Sequence, residues 1–313
     1  MTRALVFPGQ GSQAVGMGRD LAGAFAAARD VFDEVDEALR QGLSRLMFEG
    51  PEAELTLTEN AQPALMAVSM AVMRVLERDA GLDLGRHVAF VAGHSLGEYS
   101  ALAAARSFSL ADAAKLLKRR GQAMQRAVPV GAGAMAALLG LELDAARAAA
   151  QEAAQDEVCA VANDNGAGQV VVSGDKAAVE RAVAIASAKG AKRAIMLPVS
   201  APFHCPLMAP AAREMEEALA EVALRAPHVP VVANITAAPV SDPDEIRRLL
   251  VEQVTGMVRW RESVLAMKQA GVRELVEVGA GRVLSGLAKR IDRELSATAV
   301  GAPAEIEAFV KTL

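Results

Sequence analysis

One stretch of the chain leaves little freedom of local fold: HVAFVAGHSLGEYSALAAA, residues 87–105. Residues 87–92 are short, apolar and partly β-branched, which predicts a buried strand. Residues 96–105 are rich in good helix formers. Between them Gly93, Ser95 and Gly97 occupy a turn too tight for a Cβ on either side of the serine. Such a strand–turn–helix lifts the Ser95 hydroxyl above a sheet edge and aims the first free N–H groups of the helix beside it. That is the geometry of a nucleophile elbow. A serine here can also do no more than cap the helix. A catalytic role requires a base, which the rest of the chain has to supply.

At 313 residues the chain can bury a large core, as one big domain or two unequal ones. Hydrophobic residues make up 52%, largely alanine, which places it among globular chains and not disordered ones. The longest uncharged apolar run, ALMAVSMAVM at 64–73, falls far short of a membrane span. The start, MTRALVFPGQGSQ, lacks a long apolar core and a cleavage site, so no secretory signal is expected. Cys159 and Cys205 make no disulfide framework, and a cytoplasmic setting fits them. Four histidines, at 87, 94, 204 and 228, show no metal-ligand spacing, so no metal is expected. A net charge of −5 and only ten aromatic residues argue against nucleic acid as a partner.

Residues 3–7, RALVF, predict a first strand, followed by the glycine-rich loop PGQGSQAVGMG and helical patterns to about residue 80. The pattern at 110–127 is a helix. After VPVGAG the character changes: strand 134–140, helix 144–154, strands 158–162 and 169–174, helix 177–189 and strand 193–199. This βαββαβ order predicts a small ferredoxin-like unit. It reads as an insertion, because strands at 229–236 and 274–279 and a helix from about 283 resume the first pattern. Two lobes with a site between them follow from that arrangement.

Of the four histidines, His94 adjoins Ser95 on a tight turn and points elsewhere. His87 starts the strand at its far end, and His228 stands in a polar connector. His204, in PVSAPFHCPLM, directly follows a strand and so lies near a sheet end, where the elbow also lies. It is the candidate base. Cys205 beside it diverges from it in extended chain, which argues against a Cys–His pair. In the helix at 110–127 the apolar stripe runs Ala113, Leu116, Leu117, Met124 and Ala127, and Arg120 falls on it, whereas Lys118 and Arg119 face solvent. An inward guanidinium requires an anion, either an internal Asp or Glu or a substrate carboxylate. FPGQGSQ, residues 7–13, lacks the Gly-Lys-Ser/Thr ending of a phosphate loop. Beside a nucleophilic serine it suits the second donor of an oxyanion hole.

Together FPGQGSQ, AGHSLGEYSAL, RRGQAMQ, GAMAALLG, LPVSAPFHCPLM and EVGAGRVLSGLAKRI resemble the malonyl-CoA:acyl carrier protein transacylase family, in its motif order and over nearly the whole chain. The resemblance implies an α/β-hydrolase-like large subdomain, residues 1–128 and 201–313, with an inserted ferredoxin-like small subdomain, residues 129–200. It implies ping-pong transfer of malonyl from malonyl-CoA to the phosphopantetheine thiol of acyl carrier protein, for fatty acid synthesis. Ser95 would carry the malonyl group and His204 would act as general base, then acid. The backbone N–H groups of Gln10 and Leu96 would form the oxyanion hole, and Arg120 would bind the malonyl carboxylate. The backbone carbonyl of Gln253 would orient the histidine in place of a triad acid, and Phe203 would disfavour a branched 2-methyl group. No cofactor is implied, since the phosphopantetheine belongs to the substrates, and a monomer is expected.

Two departures stand out. NDNGAGQ, residues 163–169, has Gly166-Ala167 where Ser-Pro is usual, so contacts to coenzyme A or the carrier differ in detail. VTGMVRW varies from the commoner Asn-Pro-Val form near Gln253. Two other functions compete with acyl transfer. One is a carboxylester hydrolase on the same elbow, which would admit water to the acyl-enzyme. The other is a catalytically silent scaffold of a multienzyme synthase, against which every catalytic position is filled. Acyl carrier proteins are acidic while this chain is acidic overall, so docking needs a local basic patch, for which Lys289, Arg290, Lys192 and Arg193 are the candidates.

Overall fold

In the computed structural model, which describes residues 2–313, ten strands form two separate sheets. They are β1 (Arg3–Phe7), β2 (Val88–Gly93), β3 (Gly133–Leu139), β4 (Cys159–Asp164), β5 (Gln169–Asp175), β6 (Arg193–Met196), β7 (Val231–Val232), β8 (Pro239–Val240), β9 (Glu274–Val278) and β10 (Ser296–Val300). The large sheet runs β10-β9-β1-β2-β7-β8, parallel except for β8 on the edge. The small sheet is antiparallel, in the order β4-β5-β3-β6, and its strands fall between β2 and β7 in the chain. No helix among the described residues is long and apolar enough to cross a membrane.

The large sheet is covered on both faces, as its parallel strands require. Along β1, Leu5 and Phe7 pack into the core beneath the helices Thr58–Arg78 and Leu110–Ala127, while Ala4 and Val6 pack against Trp260, Val264 and Leu287 on the other side. Period-two alternation therefore yields an unbroken apolar run, ALVF at residues 4–7, and not a polar face. In the small sheet the same alternation divides two tasks. Ala134, Ala136 and Leu138 of β3 pack on the helices Leu143–Ala154 and Lys176–Ala188, whose alanines let helix and sheet approach closely. Met135, Ala137 and Val171 face the opposite way, toward the elbow.

At the turn after β2, a Cβ on Gly93 would lie 1.9 Å from the carbonyl carbon of Gly97, and one on Gly97 would lie 2.2 Å from the Phe7 carbonyl oxygen. Both contacts are with backbone, which cannot move aside. Gly97→Ala therefore destabilises the protein by about 3 kcal/mol or more, far beyond the ~1 kcal/mol that alanine contributes to a helix. Thermal denaturation measures it, and an unchanged Tm would contradict the tight turn.

Two predicted strands end differently. The run at 229–236 pairs only over Val231–Val232, because the chain turns at Asn234 to hold the elbow. The run at 193–199 leaves the sheet after Met196; Leu197 still donates to Met135, but Pro198 has no N–H to continue the ladder. β10 and the helix Pro303–Val310 close the far edge, in a segment whose pattern announced neither.

Candidate active site

Ser95 sits between β2 and the helix Gly97–Ala104 with φ +55°, and His204 has φ +58°, both in the left-handed region that residues with a Cβ seldom occupy. Backbone strain of this kind collects at functional sites and is held by the surroundings. Here the holding group is Asn234. Its Oδ1 accepts from the Ser95 N–H at 2.8 Å, and its Nδ2 donates to the Gly93 carbonyl at 2.7 Å.

His204 comes to Ser95 from 109 residues away. Its Nδ1–H donates to the backbone carbonyl of Gln253 at 2.8 Å, and since a carbonyl only accepts, Nε2 is left free to accept from the Ser95 hydroxyl, also at 2.8 Å. The imidazole is buried, and burial together with the nearby Arg120 cation pushes its pKa down to about 3. It is neutral in the resting protein. A hydroxyl so placed can pass its proton to Nε2 as it attacks an electrophile.

Arg120 is 1% exposed, on the inward face of the helix Leu110–Ala127. Of its two terminal nitrogens, Nη1 donates to Gln62 Oε1 at 2.8 Å, and Nη2 donates to Gln253 Oε1 at 3.0 Å and to Ser95 Oγ at 3.2 Å. The guanidinium stands 5.6 Å from the centre of the Tyr99 ring, and Nε has no partner. All of its hydrogen-bond acceptors are neutral. Among the described residues it makes no ion pair, although a buried cation left with dipoles alone is costly. Of the two anions open to it, an internal Asp or Glu does not pair with it.

The remaining sequence candidates converge here. Gln10, Phe203, Ser95 and His204 line one cavity of about 650 Å³, roofed by Met135 and Val171 of the small sheet. Neither the Gln10 nor the Leu96 backbone N–H donates to another group among the described residues. Phe203 is buried directly beside the histidine. Cys205 Sγ donates to the Pro202 carbonyl at 3.1 Å and takes no part. His94 does point away from the hydroxyl, its Nε2 lying 2.8 Å from Asn165 Oδ1 and its ring 5.7 Å from that of Trp260.

Three residues at the site escaped sequence reasoning, Glu98, Asn234 and Gln62, while Asn165, 2.8 Å from His94 Nε2, belongs to the NDNGAGQ segment already singled out. Glu98 carried a readable signal, a charge inside an alanine-rich helix with no polar face. It is buried; its Oε2 accepts from the Asn234 N–H at 3.0 Å and from Gln253 Nε2 at 2.8 Å, and burial pushes its pKa up to about 7. Gln253 Nε2 also donates to the Ser95 carbonyl at 3.0 Å, which turns its Oε1 toward Arg120. Asn234 and Gln62 gave no comparable signal.

The NDNGAGQ segment explains its own departure. Gly166, Ala167 and Gly168 all have positive φ, with Ala167 at +51°. A proline, locked near −65°, cannot take that conformation, so this loop follows a different path from one with Ser-Pro. A Cβ at Gly166 would lie 2.6 Å from Ile291 Cγ1.

An elbow serine, an imidazole in hydrogen-bond reach and unpartnered amides beside a partly open cavity are the parts of an acyl-transfer type of site, and the profile of the acyl transferase domain family matches residues 4–301. The malonyl CoA-acyl carrier protein transacylase of Escherichia coli strain K12 is 47% identical over 308 residues, 98% of each chain. The crystal structure of acyl-carrier-protein-S-malonyltransferase from Bartonella henselae is 56% identical and superposes with a TM-score of 0.98, over 100% of this chain and 99% of that one. A type II PKS acyl-carrier protein in complex with its malonyl-transacylase contains a similar chain, 43% identical, TM-score 0.96, covering all of both. The chain belongs to the malonyl CoA-acyl carrier protein transacylase family, the acyl-carrier-protein S-malonyltransferases.

Proposed function

We propose that the protein moves a malonyl group from malonyl-CoA to the phosphopantetheine thiol of acyl carrier protein by a ping-pong route through malonyl-Ser95, supplying malonyl-carrier for fatty acid synthesis. The observation that carries the reading is the buried, ion-unpaired Arg120 guanidinium 3.2 Å from Ser95 Oγ. A carboxylate on the acyl group completes its pair there. Ser95 Oγ attacks the thioester carbonyl while His204 Nε2 takes the hydroxyl proton. Coenzyme A leaves and recovers that proton, and the carrier thiol reverses the sequence. Negative charge develops on the same carbonyl oxygen in both halves, so the amides of Gln10 and Leu96 serve both, at roughly 3 kcal/mol each. The Gln253 carbonyl orients and partly compensates the imidazolium, and Phe203 crowds a branched 2-methyl substituent.

The same reading divides the chain into an α/β-hydrolase-like subdomain, residues 1–128 and 201–313, and a ferredoxin-like one, residues 129–200. Its support is the βαββαβ element order and the strand order β4-β5-β3-β6. A monomer working in the cytoplasm remains the expectation. Intact-mass spectrometry after incubation with malonyl-CoA and acetyl-CoA tests covalency, site and acyl preference together. A malonyl adduct that persists until a thiol is added supports transfer, and one that decays in buffer alone favours a hydrolase.

Lys289 and Arg290 end the helix Val283–Ile291, whose first turn lines the cavity, and Lys192 and Arg193 lie at the start of β6. All four are exposed and pair with no carboxylate among the described residues. On this reading they attract the acidic carrier. Charge reversal at Lys289 and Arg290 raises the Michaelis constant for the carrier and leaves that for malonyl-CoA unchanged. Equal changes in both constants would count against this surface.

A further inference from the structure

Arg120 touches the nucleophile itself, and that contact gives its charge a second consequence. Nη2 lies 3.2 Å from Ser95 Oγ, which lies 2.8 Å from His204 Nε2, so guanidinium and imidazole are no more than about 6 Å apart through one hydroxyl. Both are buried. The attack creates an imidazolium at His204, and a fixed cation at this separation opposes it. At an effective dielectric near 20, two unit charges about 6 Å apart change each other's proton affinity by roughly a hundredfold.

The other groups facing His204 do not relieve this. From the elbow, His94 is desolvated, its pKa lowered by burial, and bonded to Asn165. From the helix Gly97–Ala104, Glu98 is turned toward Asn234 and Gln253, and the Tyr99 ring lies under Arg120. From the helix Pro243–Thr255, Gln253 offers a neutral carbonyl, and on the histidine's own segment Cys205 bonds Pro202. Arg120 is therefore the dominant charge at the base.

We infer that Arg120 restrains the basicity of His204 in the free enzyme and that the carboxylate of a bound dicarboxylic acyl group, by neutralising the guanidinium, releases that restraint and switches the base on. The inference rests on the proposed binding of malonyl at Arg120 and goes beyond it. Arg120 then discriminates twice, once by holding the carboxylate and once by leaving the dyad weakly basic when an acyl group brings none. Burial and the Arg120 charge already account for a resting imidazole with a pKa near 3. A base matched to its task has a pKa closer to the working pH, which the paired guanidinium allows. No group other than the substrate's own carboxylate is needed.

The test is the titration of His204, followed by NMR of isotope-labelled imidazole from pH 4 to 8 in the Ser95→Ala protein, which cannot be acylated at that residue. With acetyl-CoA bound, the imidazole stays neutral to the low end of the range. With malonyl-CoA bound, it titrates at least one pH unit higher, a tenfold gain in proton affinity. As a second measurement, Arg120→Gln in the otherwise native enzyme raises the His204 titration in the same direction with no ligand present. Coincident titrations in the two complexes, or an unmoved histidine in Arg120→Gln, overturn the coupling while leaving malonyl binding intact. Failure of malonyl-CoA to bind the Ser95→Ala protein overturns the proposed function, and the coupling with it.

Discussion

Ser95→Ala abolishes the covalent malonyl adduct, and His204→Ala lowers turnover by about three orders of magnitude or more, as expected for a nucleophile and base that act as one unit. The two losses have different origins. Without the hydroxyl there is no atom to carry the acyl group. Without the imidazole the hydroxyl keeps its proton, and no other base is in reach: His94 is committed to Asn165, and Glu98 is turned toward Asn234 and Gln253. Intact mass after exposure to malonyl-CoA reads the first change, and steady-state transfer to the carrier reads the second. Combining the two substitutions costs little more than Ser95→Ala alone. A malonyl adduct on the Ser95→Ala protein would remove Ser95 from its assigned role.

Arg120→Ala separates a dicarboxylate acyltransferase from a general one. Two charge-assisted hydrogen bonds to the malonyl carboxylate, each about 1.5–3 kcal/mol, disappear with the guanidinium. Malonyl transfer then falls by about two to four orders of magnitude. Acetyl transfer holds steady or rises, because an acetyl group has no carboxylate to lose and the cation opposing the imidazolium is gone. Arg120→Lys recovers only part of the malonyl rate, since a point charge cannot reproduce a planar fork held between Gln62 and Gln253. The decisive quantity is the ratio of malonyl to acetyl loading on Ser95 in the three proteins. An unchanged ratio means that Arg120 serves packing alone.

How far the sequence reached depends on what kind of atom each role requires. The elbow was legible because two glycines at fixed spacing around a serine answer a purely local steric demand, which the close approach of Gly93 to Gly97 and of Gly97 to Phe7 makes concrete. Arg120 was legible because helical periodicity decides which face is inward, so a cation on an apolar stripe is visible before any fold is known. Its partners were not. Whether the anion was internal or absent depended on elements 58 and 133 residues away in the chain.

Local patterning thus settled the elements: the strand–turn–helix that presents Ser95, the buried parallel strands, the inserted βαββαβ segment and the inward face that carries Arg120. These follow from steric and hydrophobic rules that act over a few residues. Tertiary packing alone decided the distances. It brought His204 to 2.8 Å from Ser95, and it chose which backbone carbonyl would meet His204 Nδ1. Every residue has a carbonyl, so nothing in the side chain of Gln253 could mark it for that contact. Packing also ended the predicted strand at 229–236 after Val232, because Asn234 is needed to hold the strained serine. Finally, it buried Glu98 one amide away from Arg120, near enough to attract the guanidinium and too far to occupy its fork. Such placements are set by the close packing of elements distant in the chain, and no short-range pattern encodes them.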